Sequence, residues 1–110
     1  MGIIGRVKNT RISLAFGATI TVTPAATHTE FTTVAMTGNV TFDVTVTKSE
    51  EGDTMRCIFL ADGSNRTVTL GAGQINSAIT IVVTASTKGI VDYVFSGLLW
   101  NETSRSISAL

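Results

Sequence analysis

GDTMRCIFLADGSNRTVTLGAG (residues 52–73) and ITIVVTASTKGIVDYVFSGLLWNETSR (residues 79–105) are the stretches whose reading decides the fold. Val68 and Leu70, and then Ile79, Ile81 and Val83, fall on alternate positions, and turn residues stand between the apolar runs. A period of two in short β-branched runs is the signature of strands with one face in a core. The boundaries read from this pattern are strands over Thr54 to Leu60, Thr67 to Leu70, Ile79 to Ala85 and Ile90 to Phe95, with Leu98 to Trp100 following Ser96-Gly97. Asp62-Gly63 and Lys88-Gly89 are read as turns. The near-continuous apolar run Ile79 to Ala85 predicts burial on both faces, by the core on one side and by a partner subunit on the other.

Upstream, Val40, Phe42, Val44 and Val46 alternate with Thr41, Asp43, Thr45 and Thr47, the clearest half-buried strand in the chain. A register slip of one residue would put all four large side chains in water. Arg11 to Phe16, Thr19 to Thr23 and the mixed run Phe31 to Met36 predict further strands, with Pro24 at a strand end. Asn101 to Leu110 could add one more. No helix of ordinary length fits. The expected fold is all-β, an antiparallel β-sandwich or barrel-like meander, with residues 1–10 as an N-terminal arm and 11–110 as a single β domain.

Composition supports this. Nineteen of the 110 residues are Thr, whose branched carbon suits a pleated surface. Only 15% of residues are charged against 44% hydrophobic, so a monomer has few charges to cover its outer face and self-association is expected. The expected oligomer interface comprises Ile79, Ile81, Val83 and Trp100. Net charge is zero, which argues against a general nucleic-acid binder. Yet Arg6, Lys8 and Arg11 all precede the first acid, Glu30, so the N-terminal segment is basic. No stretch has the length of a membrane span, and the first residues lack the order of a secretory signal.

Catalytic chemistry finds little to work with. His28 is the single histidine, in a Thr-rich segment read as an exposed loop, and the single cysteine, Cys57, lies in an apolar run where a thiol behaves as a small hydrophobe. Glu50, Glu51 and Asp53 match no defined calcium loop and read as a solvated turn. Gly71-Ala72-Gly73 lacks the Lys-Ser/Thr pair and helix of a phosphate loop. Tyr93 and Trp100 could form a sugar-binding platform, but such aromatics more often pack inside. No enzymatic activity, cofactor or metal site is expected.

The succession of a GD-x-M strand, a DGSNRTVTL loop, an apolar ITIVVTA strand and a closing DYVFSGLLW strand resembles a module of structural proteins in tailed bacteriophages. Gly52-Asp53, Asn65 to Leu70, Gly97, Trp100 and Ser104-Arg105 carry the likeness, over about half the chain. The resemblance implies a virion protein made in the host cytoplasm, closest to small capsid-decoration or head-fibre proteins, which bind the shell as homotrimers. The alternative it implies is a tail-fibre or receptor-binding component that recognises a host surface glycan. The expected partners are further copies of the chain and the major capsid protein or another virion protein, with no nucleic acid and no membrane. Arg6, Lys8 and Arg11 are expected to form a shell-binding arm.

Overall fold

A computed structural model of the chain describes residues 7–72, 75–76 and 80–110. The described residues form ten strands: β1 (Asn9–Leu14), β2 (Thr19–Val22), β3 (His28–Thr33), β4 (Val40–Val44), β5 (Thr54–Leu60), β6 (Arg66–Ala72), β7 (Ile75–Asn76), β8 (Thr80–Val83), β9 (Thr87–Ser96) and β10 (Leu99–Ala109). They form two packed sheets, one ordered β1-β3-β5-β9-β10-β7 and the other β2-β4-β6-β8. The all-β sandwich expected from the alternating runs is therefore present.

Its strand pairing is mixed rather than antiparallel. The first six strands alternate between the sheets, so β1, β3 and β5 lie parallel in one and β2, β4 and β6 lie parallel in the other. Each successive pair makes one rung of a two-sheeted coil. The direction then reverses, with β8 antiparallel to β6, β9 antiparallel to β5, and β10 folding back on β9 as a hairpin. Alternation of apolar residues reveals which face of a strand is buried, but not which strand lies beside it. A loop that crosses to the opposite sheet has the same Gly, Asn and Asp residues as a hairpin turn.

The core lies between the sheets in rows set by register. Phe31, Cys57 and Val91 form one row of the larger sheet, and Ile20, Phe42 and Leu70 one row of the smaller. All six are buried. Phe42 and Phe59 meet edge to face across the two sheets at 5.2 Å. The sheets approach closely at Gly89, where an added Cβ would stand 2.9 Å from Val83 Cγ2 and 3.2 Å from Ile81 Cδ1.

Several boundaries differ from the expected ones. β1 begins at Asn9, so the last residues of the expected arm are part of the sheet. β3 covers His28 to Thr33, earlier than the Phe31 to Met36 run. Lys88 and Gly89 lie within β9, and the bend before it is at Thr84 to Ser86, where Ser86 has φ 57° and its N–H donates to the Asp62 carbonyl. Within the chain β8 is covered on one face, with Ile81 and Val83 buried and Thr80 and Val82 exposed, so the core side of the expected double burial is present.

Candidate interaction edge

The first rung is the open end of the coil. β1 is the edge of the larger sheet and β2 the edge of the smaller, and among the described residues no strand pairs with the outer side of either. In a parallel ladder, alternate residues turn both backbone groups toward the same neighbour. The Lys8 carbonyl accepts from the His28 N–H at 2.7 Å and the Leu14 carbonyl from the Val34 N–H at 3.0 Å. Even-numbered residues of β1 thus bond to β3. Asn9, Arg11 and Ser13 direct their N–H and C=O groups to the free edge. In β2 the Ala18 and Val22 carbonyls accept from the Thr41 and Thr45 N–H groups, which leaves Thr19 and Thr21 facing outward.

The interior row also ends here uncovered. Ile12 is in register with buried Phe31, yet it remains 40% exposed because no further strand closes over it. Phe16, which packs over Gly38, and Val34 are exposed apolar neighbours of the same end.

On the outer face of the larger sheet, one row crosses four strands as Arg11, Glu30, Arg56 and Asp92, alternating in sign. Charges of opposite sign directly across neighbouring strands favour this pairing. Arg56 grips Asp92 with two bonds, Nε to Oδ1 at 2.7 Å and Nη2 to Oδ2 at 3.1 Å. The hydrogen bond from Arg56 holds the Asp92 carboxyl below its usual range, and the same bond raises Arg56. Ser104 Oγ donates to Asp92 Oδ2 at 3.0 Å beside a bulge between Glu102 and Ser104. Toward the edge the row loosens, with Arg11 Nε 3.8 Å from Glu30 and the Arg11 side chain 88% exposed. The row therefore finishes on a solvated cation.

Beside this row lies a shallow groove of about 390 Å³, lined by His28, Glu30, Thr54, Arg56, Asp92 and Thr103 among others. His28 opens β3 rather than lying in a loop, and its Nδ1 is 2.6 Å from Thr54 Oγ1. Among the described residues, no group of three or more His, Cys, Asp or Glu side chains gathers as a metal site would require.

No family model matches the chain, and no curated protein matches it. The site is therefore read from its own geometry.

The other expected site residues fall in three groups. Arg6 and Ile79 lie outside the described residues. Lys8 and Arg11 are exposed at the open edge, brought there by β1. Ile81, Val83 and Trp100 are buried within the chain's own core, which corrects their assignment to an oligomer interface. Val82, between the first two, faces out, as does Thr80. Tyr93 and Trp100 are likewise interior, Trp100 packed on Phe95 at 5.3 Å, so they form no exposed platform for a sugar.

The remaining motifs serve the fold. Asp53 is buried, and its Oδ2 accepts the Glu50 N–H at 2.9 Å, while its backbone exchanges bonds with the chain at Glu50 and Phe95. Asp62 binds Arg66 twice and accepts the Ser64 N–H at 3.1 Å, an Asx turn that shapes the DGSNR loop. Asn65 Oδ1 accepts the Ala85 N–H and Asn39 Oδ1 the Thr67 N–H, each at 2.9 Å. Burial pushes the Cys57 thiol well above its ordinary value, away from the thiolate that a nucleophile needs. The cation-ended row was missed from sequence. It could have been found only by knowing that β3 lies between β1 and β5.

Proposed function

We propose that this chain is a virion structural protein of the capsid-decoration kind, held on a phage shell through its first rung. The observation that carries the reading is the open edge at β1, where unpaired backbone groups, the exposed Ile12 and the cations Lys8 and Arg11 lie together. Exposed strand edges invite another chain, and a protein that acts only in isolation usually blocks them. The phage-module likeness of residues 52–105 supports the virion setting, and the low charge supports a homo-oligomer, for which a trimer is the proposed state. With Ile81, Val83 and Trp100 inside, the trimer contact would use outward side chains such as Val82. This role involves no catalytic step and no cofactor.

The test is binding of the purified chain to shells assembled from the major capsid protein of the same genome. Saturable decoration in multiples of three chains is the expected result. No binding to shells, together with tight binding to host surface glycans, would favour a receptor-binding tail component instead.

A further inference from the structure

We propose that β1 is a strand acceptor: its outer edge pairs with an extended acidic segment of another protein, which sets a carboxylate opposite Arg11 and an apolar side chain opposite Ile12. The inference deepens the shell-binding reading and rests on it only for the partner's identity. Three observations converge on that partner. Asn9, Arg11 and Ser13 turn their N–H and C=O groups to the free side, as an added strand requires. The outer row alternates cation, anion, cation, anion and reaches the edge on the cation Arg11, so the next strand in the series calls for an acid. The inner row reaches the same edge on Ile12, still 40% exposed, so an apolar residue beside that acid completes the core row.

A second copy of the chain fits this edge poorly. Two β1 edges joined about a two-fold axis would bring Lys8 and Arg11 of one copy against those of the other, and neither β1 nor β2 contains an acid. Like charges across a strand pair are destabilising. Head-to-tail pairing with the stretch of β10 beyond Asn101 offers no free acid either, because Glu102 is held by Arg105 at 2.6 Å. In the outer row that stretch presents Ser104.

The probe is a blocked octapeptide in which valine alternates with glutamate and threonine, compared with a twin carrying lysine for glutamate. Amide hydrogen exchange followed by NMR reads each backbone group separately. In the free protein the N–H groups of Asn9, Arg11 and Ser13 should exchange fast, while those of Ile12 and Leu14 are protected. The glutamate peptide should slow the first set, and the lysine peptide should not. Ser13→Pro removes one outward donor and leaves the Ile12 and Leu14 bonds to β3 in place, so it should weaken peptide binding by roughly tenfold or more without lowering the unfolding midpoint. Arg11→Glu, which sets a second carboxylate in register with Glu30 and so should lower the unfolding midpoint slightly while the fold stays intact, should invert the preference toward the lysine peptide.

Absence of protection at millimolar peptide, equal protection by both peptides, or indifference to Arg11→Glu would overturn the proposal. The shell assay separates it from the wider reading. If shells bind the Ser13→Pro protein undiminished, attachment runs through another surface and the strand acceptor is refuted while the decoration role stands. If the peptide protects the edge and shells bind nothing, the acceptor stands and the decoration role falls.

Discussion

At Gly89 the two sheets leave no room for a single carbon. A β-carbon there would press on Val83 Cγ2 and Ile81 Cδ1, both held in the core, so Gly89→Ala should destabilise the fold by about 1–3 kcal/mol. Chemical denaturation would show this as a lower midpoint with an unchanged slope. The Arg56–Asp92 pair offers a second measurement. Its carboxyl is depressed in the folded chain, so the stability it contributes is present above the ordinary carboxylate range, about pH 4, and is lost as pH falls through the lower folded value. Asp92→Asn should therefore flatten the acid limb of stability against pH, modestly, because the pair is partly solvated. Cys57 should resist a water-soluble thiol reagent until the chain unfolds, with the labelling rate following denaturant. Its burial was legible in the sequence from its place in an apolar run. The burial of Asp53 was not, because residue type alone cannot show that a turn closes over its own carboxylate.

Within single elements, alternation was the dependable signal. It placed Thr54 to Leu60 and the start of β4 correctly, and Val40, Phe42 and Val44 all face inward as the pattern requires. It was less informative where apolar residues run together. In β8 the side chains of Ile81 and Val83 turn in while Val82 turns out, since in a two-sheet sandwich each strand has only one face against the opposite sheet. Val83→Ala should then cost roughly 1–3 kcal/mol, whereas Val82→Thr should stay within about 0.5 kcal/mol of the parent in thermal or denaturant unfolding. Equal effects of the two would contradict the observed facing. β10 shows a different limit. Glu102 and Arg105 pair across three positions because the bulge after Glu102 shifts the pleat, and no residue type announces that bulge.

Across the whole molecule, the strand partners were the part hidden from sequence. The candidate edge shares that limit: the basic residues Lys8 and Arg11 were visible, but their place on a free strand beside Ile12 depends on pairing between distant segments. The same pairing limits how far the N-terminal segment can be cut back without harm to the fold. The Val7 and Lys8 carbonyls accept the Thr27 and His28 N–H groups, so removing residues 2–9 would damage β3 as well as any docking function. Removing residues 2–6 leaves those bonds in place. The order of strands also determines when the fold can exist. β9 lies between β5 and β10 at the centre of the larger sheet, although it is the ninth strand to be synthesised. Non-local pairing of this kind folds slowly, in milliseconds to seconds. A chain ending after Val83 lacks the strand that joins the parallel rungs to the closing hairpin, and it should stay unfolded by far-UV circular dichroism and be open to protease. During synthesis, therefore, the rungs emerge first but gain a lasting partner only when β9 and β10, in about the last quarter of these 110 residues, arrive, which makes the emergence of those two strands the trigger for folding.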